Sequence, residues 1–208
     1  MSLAFFSVPD NLLGCDSADF DGTNDFMTRG AGLTNAADSK SGIFSCWVRI
    51  DGGGGAIRRI WGSSASAGGA IDFFRIALLA ANTFQVVGDN SVGTAILVQE
   101  SDTAYLAGTT WLHLLLSWDL ATAAVHLYVN DVEDAGAGPT LTNDTIDYTS
   151  GDSSVGGNPD GNAKLDGCLA ELYFAPGQYL DFSLVANRRK FISANGKPVS
   201  LGSDGSFP

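Results

Sequence analysis

WLHLLLSWDLATAAVHLYVNDVED, Trp111 to Asp134, reads as a β-hairpin. His113, Leu115 and Ser117 alternate with Leu112, Leu114 and Leu116, the two-residue period of a strand. The return strand runs from Ala124 to Asn130, with Val125, Leu127 and Val129 on one side. Apolar residues stand on both sides of the pattern, which predicts burial on both faces or close to it. If the turn is centred near Leu120-Ala121, His113 and His126 share a face; a one-residue slip separates them.

The same period recurs on either side of this hairpin. SGIFSCWVRI, Ser41 to Ile50, puts Phe44, Cys46, Val48 and Ile50 on one face and Ser45, Trp47 and Arg49 on the other. Ser17 to Gly30 reads as strand, turn, strand around Asp21-Gly22-Thr23-Asn24-Asp25. Arg58 to Gly62 is a short strand after the loop Gly52 to Gly55, read as a flexible connection. Ile71 to Leu79 and Phe84 to Val87 form a second hairpin, and Ile96 to Gln99 a further strand. In the last long strand, Leu165 to Ala175, Leu169, Glu171 and Tyr173 stand opposite Cys168, Ala170, Leu172 and Phe174. Asp181 to Ile192 is the one helical candidate: Leu184, Val185, Arg188, Phe191 and Ile192 fit a 3.6 period and Ser183 can cap its start.

These elements predict an all-β chain: an antiparallel two-sheet β-sandwich jelly roll over residues 15–180. An N-terminal arm, 1–14, precedes it, and a short C-terminal helix with an extended tail, 181–208, follows. The apolar arm is an edge strand or docks onto a neighbour; it and Phe191 and Ile192 are candidates for self-association.

Of 208 residues, 45% are hydrophobic, only 16% are charged and 26 are glycine, the balance of many short strands joined by glycine-rich turns. The net charge is −12, carried by 20 Asp and three Glu. Asp favours turns, so the charge belongs to loops. Such a field opposes a nucleic-acid backbone, and Arg58-Arg59 and Arg188-Arg189-Lys190 are too small to reverse it. No stretch is long and apolar enough for membrane insertion, and the N-terminus lacks the basic region of a signal peptide. Cys15, Cys46 and Cys168 are odd in number and widely spaced, so no disulfide is expected.

ADFDG (Ala18 to Gly22), FSCWVRI (Phe44 to Ile50), WLHLLLSWD (Trp111 to Asp119), VHLYVND (Val125 to Asp131) and LDGCLAELYF (Leu165 to Phe174) occur in an order that resembles the concanavalin A-like lectin/glucanase superfamily, and within it the laminin-G-like jelly rolls. The ending Asn187 to Pro208 is similar to the tail that follows such jelly rolls in proteins of tailed bacteriophages and prophages. That resemblance implies a non-enzymatic virion protein, made in the bacterial host cytoplasm. It would be a head decoration, a fibre or a tail adhesion component, docking onto other virion proteins and touching a host-surface glycan. The alternative is a calcium-dependent lectin or carbohydrate-binding module, and a glycan hydrolase ranks last; the fold hosts all three, so it does not decide among them.

Candidate chemistry is sparse. A glycoside hydrolase needs two facing carboxyl groups, yet Glu100, Glu133 and Glu171 have no acidic partner at the Glu-x-Asp-x-x-Glu spacing of the glucanase relatives. His113 and His126 alone make neither a metal site nor a triad. No cofactor is required. Calcium is the plausible ion, with Asn158, Asp160 and Asn162 offering oxygens at alternate positions and Asp166 nearby, although the closing bidentate Glu is missing. Asp89-Asn90 is a second such pair. Trp61, Tyr105, Phe73 and Phe74 are the candidate sugar platforms.

Overall fold

A computed structural model describes residues 17–29, 33, 36–64, 72–202, 206 and 208, together with the backbone of 3–5. Among the described residues the strands are β1 (Leu3–Phe5), β2 (Ala18–Asp21), β3 (Met27–Arg29), β4 (Ser41–Ile50), β5 (Arg58–Ser64), β6 (Asp72–Leu78), β7 (Thr83–Asp89), β8 (Ala95–Ala104), β9 (Leu112–Asp119), β10 (Ala124–Val129), β11 (Val132–Glu133), β12 (Thr140–Leu141), β13 (Asp152–Val155) and β14 (Asp166–Pro176), followed by helix α1 (Val185–Arg188). They make two antiparallel seven-stranded sheets. The first runs β1-β14-β4-β9-β10-β11, with β2 also on β14; the second runs β12-β8-β7-β6-β5-β13-β3. The two-sheet jelly roll expected from the sequence is the observed architecture.

The hairpin β9–β10 turns one residue later than expected, about Ala121-Thr122, with Ser117 opposite His126 and Leu116 opposite Leu127, and His113 and His126 still share a face. Its turn is held by the Asp119 carboxylate, which accepts from the Ala121 N–H at 3.0 Å. Leu114, Leu116 and Trp118 point between the sheets, and His113, Leu115 and Ser117 point away.

The core between the sheets is aromatic. Phe74 of β6 stacks on Phe174 of β14, centroids 5.2 Å apart and planes within 8°. Trp118 and Tyr148 pack on Phe74 at 5.3 and 5.4 Å. Polar handles on such rings need partners when buried. Trp118 Nε1 donates to the Tyr148 hydroxyl at 2.8 Å, and that hydroxyl donates to the Ser41 carbonyl at 3.1 Å. Gly42 lets β4 pass under the indole: a Cβ there would lie 2.2 Å from Trp118 Cζ2.

Three local expectations are corrected. Ser17 to Gly30 is not a hairpin within one sheet, because β2 pairs β14 in the first sheet while β3 pairs β13 in the second. The turn crosses the sandwich, with Gly22 at φ +69° and the Asp21 carboxylate accepting from the Thr23 and Asn24 N–H groups at 2.8 and 3.0 Å. In β14 the alternation breaks at a bulge between Ala170 and Tyr173, where Glu171 takes φ +48°. The extra residue shifts the period, so Leu169 shares the inner face with Leu172 and Phe174 rather than with Tyr173.

The third correction is the C-terminal helix. Only Val185–Arg188 is helical, and Ser183 does not cap it. The Asp181 carboxylate instead accepts from the Ser183 N–H at 2.8 Å, forming a turn that competes with a longer helix. Leu184 and Val185 are 55% and 51% exposed, whereas Phe191 is 2%. Phe182, Phe191 and Leu201 pack on Ile43, Leu115, Tyr128 and Tyr173, and Ile192 packs on Trp47 and Ala170. The tail is therefore a cover for the outer face of the first sheet, and Phe191 and Ile192 are not free to seek a partner. Arg188 fixes it: Nε donates to Asp131 at 2.6 Å, Nη1 donates to the Phe182 carbonyl at 2.6 Å, and the guanidinium lies 4.6 Å over the Tyr128 ring.

At the other end, Leu3–Phe5 pairs with β14, with Ala4 opposite Tyr173. This is the edge-strand reading of the N-terminal arm; residues 6–16, including Cys15, lie outside the described residues. Cys46 and Cys168 are free and buried.

Replacing Phe191 by Ala is expected to destabilise the domain by about 3–5 kcal/mol, the range for emptying a large buried site. Leu184→Ala should stay within about 0.5 kcal/mol of wild type. Denaturant midpoints of the two variants check this, and a harmless Phe191→Ala would show that the tail is not core.

Candidate functional site

The described loops at one rim join β4 to β5, β2 to β3 and β13 to β14, and they enclose a recess of about 540 Å³. Asp21, Gly53, Ile57, Arg58, Lys164 and Asp166 line it. Arg58 organises this rim. It is buried at the start of β5, donating from Nη1 to the Gly52 carbonyl and from Nη2 to Asn82 Oδ1, both at 2.6 Å. The glycine loop is thus clamped rather than loose, and Gly53 supplies the φ of +74° that lets it wrap the arginine. Burial lowers the Arg58 pKa and the Asp166 carboxylate opposes that shift. Asp21 is held below the usual carboxylate range by the Asn24 and Thr23 amides.

The calcium candidates separate. Asn158, Asp160 and Asn162 stay together in one loop, where Asp160 accepts from Asn162 N and Nδ2, each at 3.0 Å, and the buried Asn158 Oδ1 has no hydrogen-bond partner. The Lys164 ammonium donates to the Gly161 carbonyl in the same loop. Asp166 stands in the rim recess beside Arg58. Two cations and a closed turn do not make a cage for a divalent ion, so as placed these four residues do not fit calcium. Asp89 and Asn90 also diverge in use, with Asn90 Nδ2 donating to Asp144 at 2.9 Å.

The sugar platforms are corrected too. Trp61 is 2% exposed, and Phe73 and Phe74 are buried. Trp61 packs at a tilt on Phe174, centroids 5.2 Å apart, and lines an apolar cleft of about 470 Å³ with Met27, Leu33, Val155, Leu169 and Leu172. Tyr105 packs on Phe84 at 5.1 Å and donates its hydroxyl to Asp134 at 2.7 Å. Strand period alone does not separate a core ring from an exposed one when both faces of a sheet are covered.

The glutamates lie apart, on β8, β11 and β14: Glu100 accepts from Thr83, Glu133 is exposed and Glu171 is buried in the bulge. The two histidines share the outer face of the first sheet but serve different neighbours. His126 Nε2 lies 3.1 Å from the Tyr179 hydroxyl and 3.3 Å from Asp181. His113 is fully buried, bonded to Ser45 Oγ at 2.9 Å and packed at a tilt against Trp47, ring centroids 5.0 Å apart. One acidic cluster escaped sequence reading: Asp19, Asp51 and Cys168 on three neighbouring elements. Arg49 already fills it, donating to Asp51 at 2.7 Å and to Cys168 Sγ at 3.0 Å, while the thiol donates to Asp19 at 3.1 Å. Burial, then the Asp19 hydrogen bond, raises the Cys168 pKa to about 11, so it is not a reactive thiolate. Its only sequence signal was the alignment of β2, β14 and β4, which needs the register.

The comparisons agree with this geometry. A laminin G model described as the concanavalin A-like lectin/glucanases superfamily matches residues 21–176. The chain belongs to that superfamily. No curated protein matches it. Among solved structures it is similar to the binding domain of botulinum neurotoxin serotype G, with TM-score 0.58 and 11% identity over 87% of this chain and 45% of that one. It is also similar to the LG4-5 domains of the mouse laminin α1 chain, with TM-score 0.56 and 17% identity over 80% of this chain and 42% of that one. A third likeness is to the carbohydrate-binding module CBM40 of the Ruminococcus gnavus IT-sialidase, solved with α2,3 sialyllactose, with TM-score 0.54 and 13% identity over 77% and 97%. The chain spans less than half of the first two, and all three likenesses are of fold alone.

Burial holds His113 neutral, its pKa lowered from 6.5 to about 3. The unfolded chain takes up this proton near 6.5 and the folded chain does not, so the contribution is full above that pH and is lost as pH falls toward 3. Its slope is at most about 1.4 kcal/mol per pH unit. His113→Phe should therefore lose less stability than wild type between neutral and mildly acidic pH. Parallel pH dependences, followed by urea midpoints, would show that His113 is protonated in the fold.

Proposed function

We propose that this chain is a non-enzymatic binding module on the virion surface of a tailed bacteriophage or prophage, as a head decoration, fibre or tail adhesion component. The observation that carries this reading is the fate of Asn187 to Pro208, the stretch that resembles phage jelly-roll tails. Phe191, Ile192 and Leu201 of that stretch are buried against the sandwich, so the resembling tail is part of the domain itself. With the outer face of the first sheet covered, docking falls to the edge strands and the rim loops. β3, last in the strand order of the second sheet, is exposed along its length. The acidic loops keep the module soluble and turn nucleic acid away.

A second reading, a lectin or carbohydrate-binding module, draws support from the fold it shares with the CBM40 solved on sialyllactose. The two are compatible, since a virion surface module can contact a host glycan. Neither needs a catalytic pair of carboxylates.

Mass spectrometry of purified particles, with gold- or antibody-labelled electron microscopy, tests the first reading. The chain is expected at a fixed stoichiometry on the head or tail. Its presence only in the soluble lysate, with binding on a glycan array, would replace the virion reading by the lectin one.

A further inference from the structure

The apolar cleft beside Trp61 lies between the sheets, where β3 ends the strand order of the second and β2 flanks β14 in the first. Leu169 and Leu172 of β14 form one wall, and Trp61 of β5 and Val155 of β13 the other. Met27 and Arg29 of β3 stand at its mouth: both line the cleft and both are exposed, Met27 at 40%. In the ladder Met27 is opposite Val155 and Arg29 is opposite Ser153. Cross-strand partners share a face, so the guanidinium and the Ser153 hydroxyl are neighbours at one end of a largely apolar space. Ser153 is 4% exposed and lines the cleft, and its Oγ has no hydrogen-bond partner among the described residues. Buried polar atoms are almost always bonded, so an open hydroxyl on a cleft wall marks where a ligand's polar atom belongs.

We propose that this cleft binds the aliphatic chain of a fatty carboxylate, with the head group on Arg29 and Ser153. Its volume of about 470 Å³ falls in the range of small-molecule sites. A cavity of roughly 150 Å³ takes up benzene, so this one has room for roughly 12–18 carbons. A peptide or a sugar would carry amides or hydroxyls against the leucine and tryptophan walls, where they would lose their bonds to water. An aliphatic chain brings no polar atom to those walls, and its single carboxylate meets the polar end. A guanidinium has five N–H donors, so Arg29 can hold a carboxylate alongside another contact, and Ser153 can donate its hydroxyl to the same head group. Beside this local cation the net charge of −12 acts as a distant field, screened beyond about 8 Å in physiological salt. The ligand differs in class from a host glycan, and its binding does not depend on that contact.

The test is isothermal titration calorimetry of the full chain, stripped of lipid on a hydrophobic resin, with decanoate and decanol as probes. Nuclear magnetic resonance of the chain labelled on its methionine methyl groups locates the binding. Decanoate should bind at one site per chain and shift the Met27 methyl signal. Arg29→Gln, at an exposed position, should weaken decanoate about tenfold or more, the usual effect of losing a charged hydrogen-bond partner, and leave decanol unchanged. Met27→Asp, which sets a like charge at the mouth, should weaken decanoate as much, and it keeps the test open if the arginine variant fails to fold. No binding of decanoate overturns the proposal. Binding that leaves the Met27 methyl unmoved also overturns it, as does an Arg29→Gln chain that folds and holds decanoate as tightly as wild type. The virion and glycan readings are decided separately, on particles and on the glycan array.

Discussion

The first sheet is apolar on both of its faces, and the rest of the molecule follows from the need to cover it twice. On the inner side Phe44, Leu116, Trp118 and Phe174 meet the second sheet. On the outer side Ile43, Leu115, Tyr128 and Tyr173 would lie open to water if the chain ended with β14. Each such side chain is worth roughly 1.5–3 kcal/mol when removed from water. The segment after β14 supplies that second cover with Phe182, Phe191 and Leu201, and the Arg188–Asp131 pair locks it across the end of β10. The sandwich is thus three layers thick over its centre: second sheet, first sheet, C-terminal wrap.

Covering one face decides where recognition can happen. His113 and the Cys168–Arg49 cluster, chemically the most suggestive groups of the first sheet, serve cohesion beneath or beside this wrap. The rim loops are pinned by Arg58 and by carboxylates that cap their own turns, which suits a rigid presenting surface rather than a reacting one. Buried polar atoms without a hydrogen-bond partner occur on both sheets, among them His113 Nδ1 on the first and Arg59 Nε and Asp89 Oδ1 on the second.

Much of the fold was legible in the residues. The two-residue period placed β4 and the β9–β10 hairpin with the right inner faces, because a sheet buried on one side by large apolar groups tolerates no slip. The period failed where the backbone itself departs from regular geometry. The Glu171 bulge looks like any other alternating position until its positive φ is seen, and the Asp21 turn gives no sign that its two arms join different sheets. The tail misled for another reason: its apolar residues do follow a helical spacing, but they are placed by the face they cover, with Leu184 and Val185 left outside. The site was less legible still. Arg29 and Ser153 carried no sequence signal of a shared cleft, since their meeting depends on the pairing of β3 and β13. Trp61 and Tyr105 were read as platforms because composition does not distinguish a ring under a second layer from one in water.

The double covering is tested most directly by amide hydrogen exchange on the intact chain. The Phe191 and Ile192 N–H groups, bonded to the Arg188 carbonyl at 2.9 and 3.0 Å, should exchange as slowly as those of β4 and β9, opening only with the whole domain. Exchange in the C-terminal segment orders of magnitude faster than in β4 and β9 would show that the wrap opens on its own, and that the first sheet stands without it.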